Sequence, residues 1–383
     1  MIYLDYNATT PLAREAAEAM LPFLEKHFGN PSSIHAAGRE ARAAIDDARD
    51  GLAKILGAKP HEIIFTSGGT EADNLAVIGL ARARASIGKH LVTATTEHHA
   101  VLQAFEFLQN NEGYRVTFLP VDSHGQIAPG VFQNALERDT TLVSIMSANN
   151  ETGTIQPHLA EMAALCRARG ILFHSDMIQS FGKTPLDVRT AGPDAISLAA
   201  HKFYGPKGAG LLWLRSGIAI NSIGFGGAHE NQRRPGTENV AAIVGMACAA
   251  ETVLRDLDAE QNRQQILRDQ LWNGIRAASP EAILNGHPTE RLANTLNVSF
   301  PEIDGESLLI SLDLEGICAS SGSACMVGSI VPSHVLMAMG VAPELARGTV
   351  RFSLGKETTE AEIAAVIATL PRIFARLKPQ AFA

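Results

Sequence analysis

The sequence lacks any excess of basic charge. Its 32 lysines and arginines are outnumbered by 40 aspartates and glutamates, giving a formal net charge of −8. Neither nucleic acid nor an anionic membrane surface is therefore expected as a partner. It also lacks a long apolar run. The longest, Val240 to Ala250, is cut by Glu251 and is too short to span a bilayer. The start, MIYLDYNATT, has neither a basic n-region nor an apolar h-region, so no signal peptide is expected. Cysteine is scarce. Cys166, Cys248, Cys318 and Cys325 form no CxxC pair and imply no disulfide framework, and a reducing, cytoplasmic setting fits them. The histidines show no ligand-like spacing apart from the adjacent His98 and His99, and neighbours on a helix point in different directions, so no metal is expected. Internal repeats and low-complexity segments are absent as well.

What is present is ordinary globular composition, 46% hydrophobic and 19% charged over 383 residues. That length exceeds one compact core, and two domains are expected. Short apolar runs at Ile63–Thr66, His90–Ala94, Arg115–Leu119, Leu142–Ser147, Ile171–Ser175, Ala195–Leu198 and Gly210–Leu214 read as strands, and segments of helical length separate the first five. Before them, Ala41, Ala44, Ile45, Ala48, Leu52, Ile55 and Leu56 share one helical face. This alternation predicts a mostly parallel, wound α/β sheet, whose ligands bind beyond the carboxyl ends of the strands. Val240 to about Ile275 reads as one long helical region. The remainder reads as a smaller α/β unit with strands Ala293–Ser299 and Thr349–Ser353, and its last helix opens on a capping-box pattern, Thr359-Glu-Ala-Glu362. The expected division is a large domain at 16–255 and a small one made of 1–15 and 256–383.

Four constellations could carry chemistry. Ser67-Gly-Gly69-Thr70 joins a strand to a helix, so close backbone approach and free N–H groups would suit a phosphate; alone, it reads better as a plain βα turn. Asp176 at a strand end, with Gln179 after it, would hold a pyridine nitrogen protonated; alone, it reads better as a capping Asp. Lys202 follows the apolar Ser197–Ala200 run within a glycine- and proline-rich turn. There burial would lower its pKa and fit it for a Schiff base, while Lys207 suits a solvent-exposed role. Cys325 sits between Gly322 and Gly328 in a stretch of small residues, as a thiol carried on a mobile loop would. Cys318, Cys166 and Cys248 are expected to be packed.

LDYNATTP near the start, GNPSSIH (Gly29–His35), TSGGTEADN (Thr66–Asn74), TEHHAVL (Thr96–Leu102), ANNETGT (Ala148–Thr154), HSDMIQS (His174–Ser180), AAHKFYGPKGAG (Ala199–Gly210), RRPGTENV (Arg233–Val240), SSGSAC (Ser320–Cys325) and VRFSLG (Val350–Gly355) follow one another in order. In this the chain resembles the cysteine desulfurases of the iron–sulfur and nitrogen-fixation type, in the aminotransferase class V family with fold type I, and their long-loop subgroup. The resemblance implies pyridoxal 5'-phosphate as cofactor, L-cysteine as substrate, alanine as product and a persulfide on Cys325. It implies that Lys202 holds the cofactor and moves the Cα proton, that Asp176 pairs with the ring nitrogen, and that Gln179 meets the phenolic oxygen. His98 would stack on the ring and transfer a proton, with His99 a variable helix-surface residue. Gly69, Thr70 and His201 would hold the phosphate, joined by Thr237 from the second copy of a homodimer. Asn150 and Arg351 would hold the substrate carboxylate, for which a planar guanidinium is well shaped. A sulfur-acceptor protein, such as an iron–sulfur scaffold, would take the persulfide.

Two departures stand out. Ala199 replaces a serine that binds phosphate in many relatives, and Met177 replaces a small alanine expected against the ring. The chain also ends soon after its last helix, where relatives serving the housekeeping scaffold carry a longer docking tail. The alternatives left open are another class V enzyme, either a selenocysteine lyase or a small-amino-acid aminotransferase, and a non-catalytic assembly partner that keeps the fold.

Overall fold

A computed structural model describes residues 1–322 and 332–377. Numbered along the chain, its strands are β1 (Ile2–Tyr3), β2 (Ile63–Thr66), β3 (His90–Ala94), β4 (Arg115–Leu119), β5 (Thr140–Ser144), β6 (Leu172–Asp176), β7 (Ala195–Ala199), β8 (Gly210–Leu214), β9 (Ile283–Asn285), β10 (Thr295–Ser299), β11 (Ile317–Cys318) and β12 (Thr349–Ser353). Seven of them form one sheet in the order β2-β8-β7-β6-β5-β3-β4. From β7 to β4 every pairing is parallel, while β8 runs antiparallel to both its neighbours. The expected wound, mostly parallel α/β sheet is therefore what the chain forms.

Both faces of this sheet are covered, which explains why its strands carry apolar residues at consecutive positions. Period-2 alternation sends Val92, Val143, Phe173, Ile196 and Leu211 into one core. Their neighbours Leu91, Leu142, Leu172, Ala195 and Leu212 enter another. The first core lies under helices Ala36–Leu56 and Val240–Arg255, the second under Gly69–Ala83 and His99–Glu112. In helix Ala36–Leu56 the buried stripe is Ala41, Ile45, Ala48, Leu52 and Leu56, as the periodicity predicts, with Ala44 and Ile55 half-buried at its edge. Gly57 ends that helix at φ 70°, a left-handed cap that suits glycine.

A third core joins helices Leu257–Ala278, Gly305–Leu314 and Glu360–Leu377 to the three-stranded sheet β12-β10-β9. The chain start belongs with it, because β1 pairs with β11 and Leu4 packs in this core. The capping box is present: Thr359 N–H donates to Glu362 Oε2 and Glu362 N–H to Thr359 Oγ1.

Several expectations need correction. The region from Val240 is two helices, Val240–Arg255 and Leu257–Ala278, because Asp256 leaves helical geometry at φ −121°, ψ 29°. β5 stops at Ser144, not Ser147, although the N–H groups of Ile145 and Ser147 still bond to His174 and Asp176. β6 includes Asp176 as its last residue, and β10 begins at Thr295. Cys166 is buried, but Cys248 and Cys318 are only partly so; burial pushes the Cys166 thiol up to about 12, so it stays protonated. Among the described residues, no helix is long and apolar enough to cross a membrane.

One close approach ties this fold to what sits on it. A side chain at Gly210, where β8 begins, would meet the backbone of Gly68 at 2.6–2.8 Å. Backbone cannot yield as a flexible side chain does. Gly210→Ala is expected to push the Gly68–Thr70 turn outward and cost about 1–3 kcal/mol, read as a lower urea midpoint. An unchanged midpoint would show that β8 and the turn are not in contact.

Candidate active site

The turn after β2, the end of β6, the turn after β7 and the segments after β3 and β5 all lie at the carboxyl edge of the parallel strands. They surround one cleft. Its lining includes Gly69, Thr70, His98, Asn150, Asp176, Gln179, Ala199, His201 and Lys202 from the large sheet's side, and Arg351 and Gly322 from the other. All the predicted site residues except two are therefore gathered in one place. Thr237 is exposed and lies outside the cleft, on a segment held by the Arg234–Glu71 ion pair at 2.8 Å. Cys325 lies outside the described residues.

Local sequence explains each placement. Helix Gly69–Ala83 makes its first intrahelical bond from Ala72 N–H to Gly68 O, at 3.1 Å. The N–H groups of Gly69, Thr70 and Glu71 precede it and form the partially positive helix start. A Cβ added at Gly69 would meet the tip of the Ile178 side chain, which would have to turn aside. Three residues on from Thr70 along the same helix, Asp73 also faces the cleft.

Lys202 closes the short turn after β7, and its Nζ donates to the main-chain oxygens of Asn7 and Ala8 at 2.6 and 2.9 Å. Gln179 Nε2 donates to the same Asn7 oxygen at 2.9 Å. Asp176 is buried, and its Oδ1 accepts the Ile178 N–H at 2.8 Å. Burial pushes its carboxyl up to about 6, although the Ile178 bond and the nearby Lys202 pull the other way.

His98 caps helix His99–Glu112, its Nδ1 accepting the Ala100 N–H at 3.1 Å. Burial, then the Lys202 ammonium, hold it down to about 4. A neutral ring with Nδ1 occupied as an acceptor carries its proton on Nε2. His201 is likewise held down to about 4, by burial and then by Lys202, and its Nδ1 lies 3.2 Å from Thr9 Oγ1.

Arg351, 2% exposed in the middle of β12, is no surface ion pair. Its Nη2 meets Asp5 Oδ1 at 2.8 Å, its Nη1 donates to Asn150 O at 2.9 Å, and its Nε has no partner.

Several lining residues were not foreseen. Asp73 is fully buried with neither oxygen hydrogen-bonded; burial and the neighbouring Asp176 raise its carboxyl well above the usual range. Its spacing of i+3 from Thr70 was the available signal. Beside it, His174 is held neutral by burial and sits between Ser144 Oγ and Ser197 Oγ at 2.8 and 2.9 Å. Glu151 is buried and accepts from Ser333 Oγ. His99, expected on the helix surface, instead lines the cleft, its ring 4.6 Å from that of His334. Met177 does not line the cleft. It packs into the core with Phe181 and Phe203, and Ile178 takes the cleft side.

The arrangement fits a flat, phosphorylated heterocycle. A helix start offers N–H groups to a phosphate, a buried carboxylate sits at a strand end, and an amine and an imidazole share the space between. Among the described residues no cluster fits a metal ion.

The comparisons agree with this geometry. The aminotransferase class-V family model matches residues 2–366. A cysteine desulfurase IscS of Dictyoglomus turgidum is 48% identical, over 98% of this chain and 95% of that protein. One from Methanosarcina thermophila is 47% identical, over 98% and 93%. Among solved structures, a NifS-like protein superposes with a TM-score of 0.92 at 36% identity, covering 98% of this chain and 100% of that one. The chain belongs to the aminotransferase class-V family. Within it, the chain is one of the pyridoxal-phosphate-dependent cysteine desulfurases.

The raised Asp176 has a measurable sign. A carboxyl whose folded pKa lies above its unfolded value makes the fold lose stability as pH rises from the unfolded value toward the folded one, here from 3.8 to about 6. Asp176→Asn removes that term. Melting of the cofactor-free protein at about pH 5 and about pH 8 is expected to show the variant gaining on the parent at the higher pH. An equal difference at both pH values would mean that Asp176 is not held in its acid form.

Proposed function

We propose that this chain converts L-cysteine to L-alanine in the cleft and collects the sulfur as a persulfide on Cys325. What supports the reading is the meeting of Lys202, Asp176 and His98 around one cleft at the strand ends, together with membership of the cysteine desulfurases. Bound there, pyridoxal phosphate supplies an electron sink that acidifies the substrate Cα–H.

The chain's own residues supply the rest. Lys202 holds the cofactor and carries the Cα proton, since its Nζ has only short side-chain rotations to make. Asp176 keeps the ring-nitrogen proton in place. With the cofactor bound, the Asp176 carboxylate that burial disfavours would be stabilised by the ring-nitrogen charge. Gln179 donates to the phenolic oxygen. Gly69, Thr70 and His201 hold the phosphate without the hydroxyl that Ala199 lacks. Arg351 and Asn150 take the substrate carboxylate, which displaces Asp5 from the guanidinium. His98, neutral with its proton on Nε2, would stack on the ring and donate before it can accept.

The Cys325 thiolate then shares an electron pair with the substrate sulfur. An S–S bond forms as the C–S bond breaks, and the carbon fragment gains a proton and leaves as alanine.

The same reading makes the working unit a homodimer in which Thr237 completes the partner copy's phosphate site. It places the protein in the cytoplasm, with a sulfur-acceptor protein such as an iron–sulfur scaffold receiving the persulfide. Residues 16–255 form the cofactor-holding unit, and 1–15 with 256–383 form the second, in line with the separate cores.

The test is mass spectrometry of the cofactor-loaded protein after cysteine treatment. One added sulfur is expected on the peptide containing Cys325. Cys325→Ala is expected to lose alanine production by 10²-fold or more, as removing a nucleophile does. Lys202→Ala is expected to lose the bound chromophore's visible absorbance. Full alanine production by Cys325→Ala would point instead to an aminotransferase-like class V enzyme.

A further inference from the structure

Lys183 has no part in the reaction above. It lies outside the main cleft and lines a smaller one that shares Lys202 with it. Its amine nevertheless touches a side chain that the reaction uses. Lys183 Nζ donates to Gln179 Oε1 at 2.9 Å and to Asn7 Oδ1 at 3.3 Å. On the other side of the same amide, Gln179 Nε2 donates to the main-chain oxygen of Asn7 at 2.9 Å. Gln179 and Asn7 are both buried, so water is a poor substitute for any of these contacts.

A glutamine amide can sit either way round, because its oxygen and nitrogen have nearly the same shape. Here both neighbours select the same way. Lys183 brings hydrogens, and the Asn7 carbonyl brings lone pairs. A lysine amine carries at least two hydrogens, charged or neutral, which is enough for Gln179 Oε1 and Asn7 Oδ1 together. The charge state of Lys183 therefore does not decide the arrangement. Gln179 Nε2 also has two hydrogens. One goes to Asn7, which leaves the second for the cleft that Gln179 lines. Without a donor, Oε1 would be a buried unsatisfied group, and the amide would be drawn out of this pose to find one.

We infer that Lys183 is a positioning residue, which holds the Gln179 amide so that Nε2 presents its second hydrogen to the phenolic oxygen of the bound cofactor. A hydrogen bond donated to that oxygen stabilises its anionic form. Lys183 acts through Gln179 and touches neither cofactor nor substrate. The inference rests on the reading of Lys202 and Gln179 proposed above.

The test uses the cofactor-loaded full chain without substrate. The visible absorbance of the bound chromophore is followed against pH in the parent, Lys183→Met, Gln179→Leu and the double variant. Lys183→Met is expected to raise the titration midpoint by on the order of half a pH unit, because the anionic oxygen loses its donor. Lys183 also sits among charges, with Lys202, Asp256, Glu260 and Lys356 on the smaller cleft and Arg351 nearby. The double variant separates the hydrogen bond from the charge. In the Gln179→Leu protein, replacing Lys183 by methionine is expected to move the midpoint much less than in the parent. Lys183→Arg, which keeps a donor, is expected to stay near the parent.

An equal shift in both backgrounds overturns the inference, since Lys183 would then act by charge and not through Gln179. So does an unmoved midpoint in Lys183→Met, or a shift in Lys183→Arg as large as the one in Lys183→Met. An unmoved midpoint in Gln179→Leu also overturns it, while leaving the assignment of Lys202 intact. Lys202→Ala reports on that assignment separately: if it kept the parent's colour, the proposed function itself would fail.

Discussion

The site depends on one buried asparagine. Asn7 lies in the chain's first few residues, yet its main-chain oxygen accepts from both Lys202 and Gln179. Its side-chain oxygen accepts from Lys183 and Asn294, its amide donates to Thr295 and to Asn150 O, and its N–H bonds to Ser353. These partners come from β10, β12 and the turns after β5, β6 and β7. The turn after the N-terminal strand thus acts as a pin between the seven-stranded sheet and the smaller one. Removing it would leave several buried polar groups without partners, each costing about 1–3 kcal/mol.

Around that pin the charges are arranged in tension. Four carboxyls, those of Asp73, Glu97, Glu151 and Asp176, are buried close to the cleft, and burial raises every one of them. The amines of Lys202 and Lys183 and the guanidinium of Arg351 share the region, but few of these groups form direct pairs. Asp73 and Glu97 both keep oxygens with no hydrogen-bond partner. Such a set is costly in an isolated fold, and it is the usual signature of a place built to receive a charged ligand. The histidines follow the same rule from the other side, since His98, His174 and His201 are all held neutral by burial.

Much of this was legible in the sequence. The strands showed because both faces of the sheet are covered, so each carries consecutive apolar residues facing both sides, and the helix Ala36–Leu56 showed by its period. Gly69, Asp176 and Lys202 were readable because each punctuates the end of an apolar strand. Other features were hidden for definable reasons. The break at Asp256 is a single non-helical residue between two helices, with neither glycine nor proline to mark it. Asp73 and Lys183 look like helix and loop surface residues until the fold closes over them. His99 reads as solvent-facing because only the long-range approach of His334 shows which way it turns. Met177 was misassigned because the strand end rotates its side chain to the opposite face from Asp176.

Glu151 joins two parts of the cleft wall. Its carboxyl holds Ser333, and it abuts Gly322, where even an added Cβ would come within 3.2 Å of Oε2. Gly322 also lends its carbonyl to Arg351 and forms part of the cleft wall. Glu151 thus links the seating of helix His334–Ala338 to the wall on which the Arg351 guanidinium rests, so the two cannot shift independently.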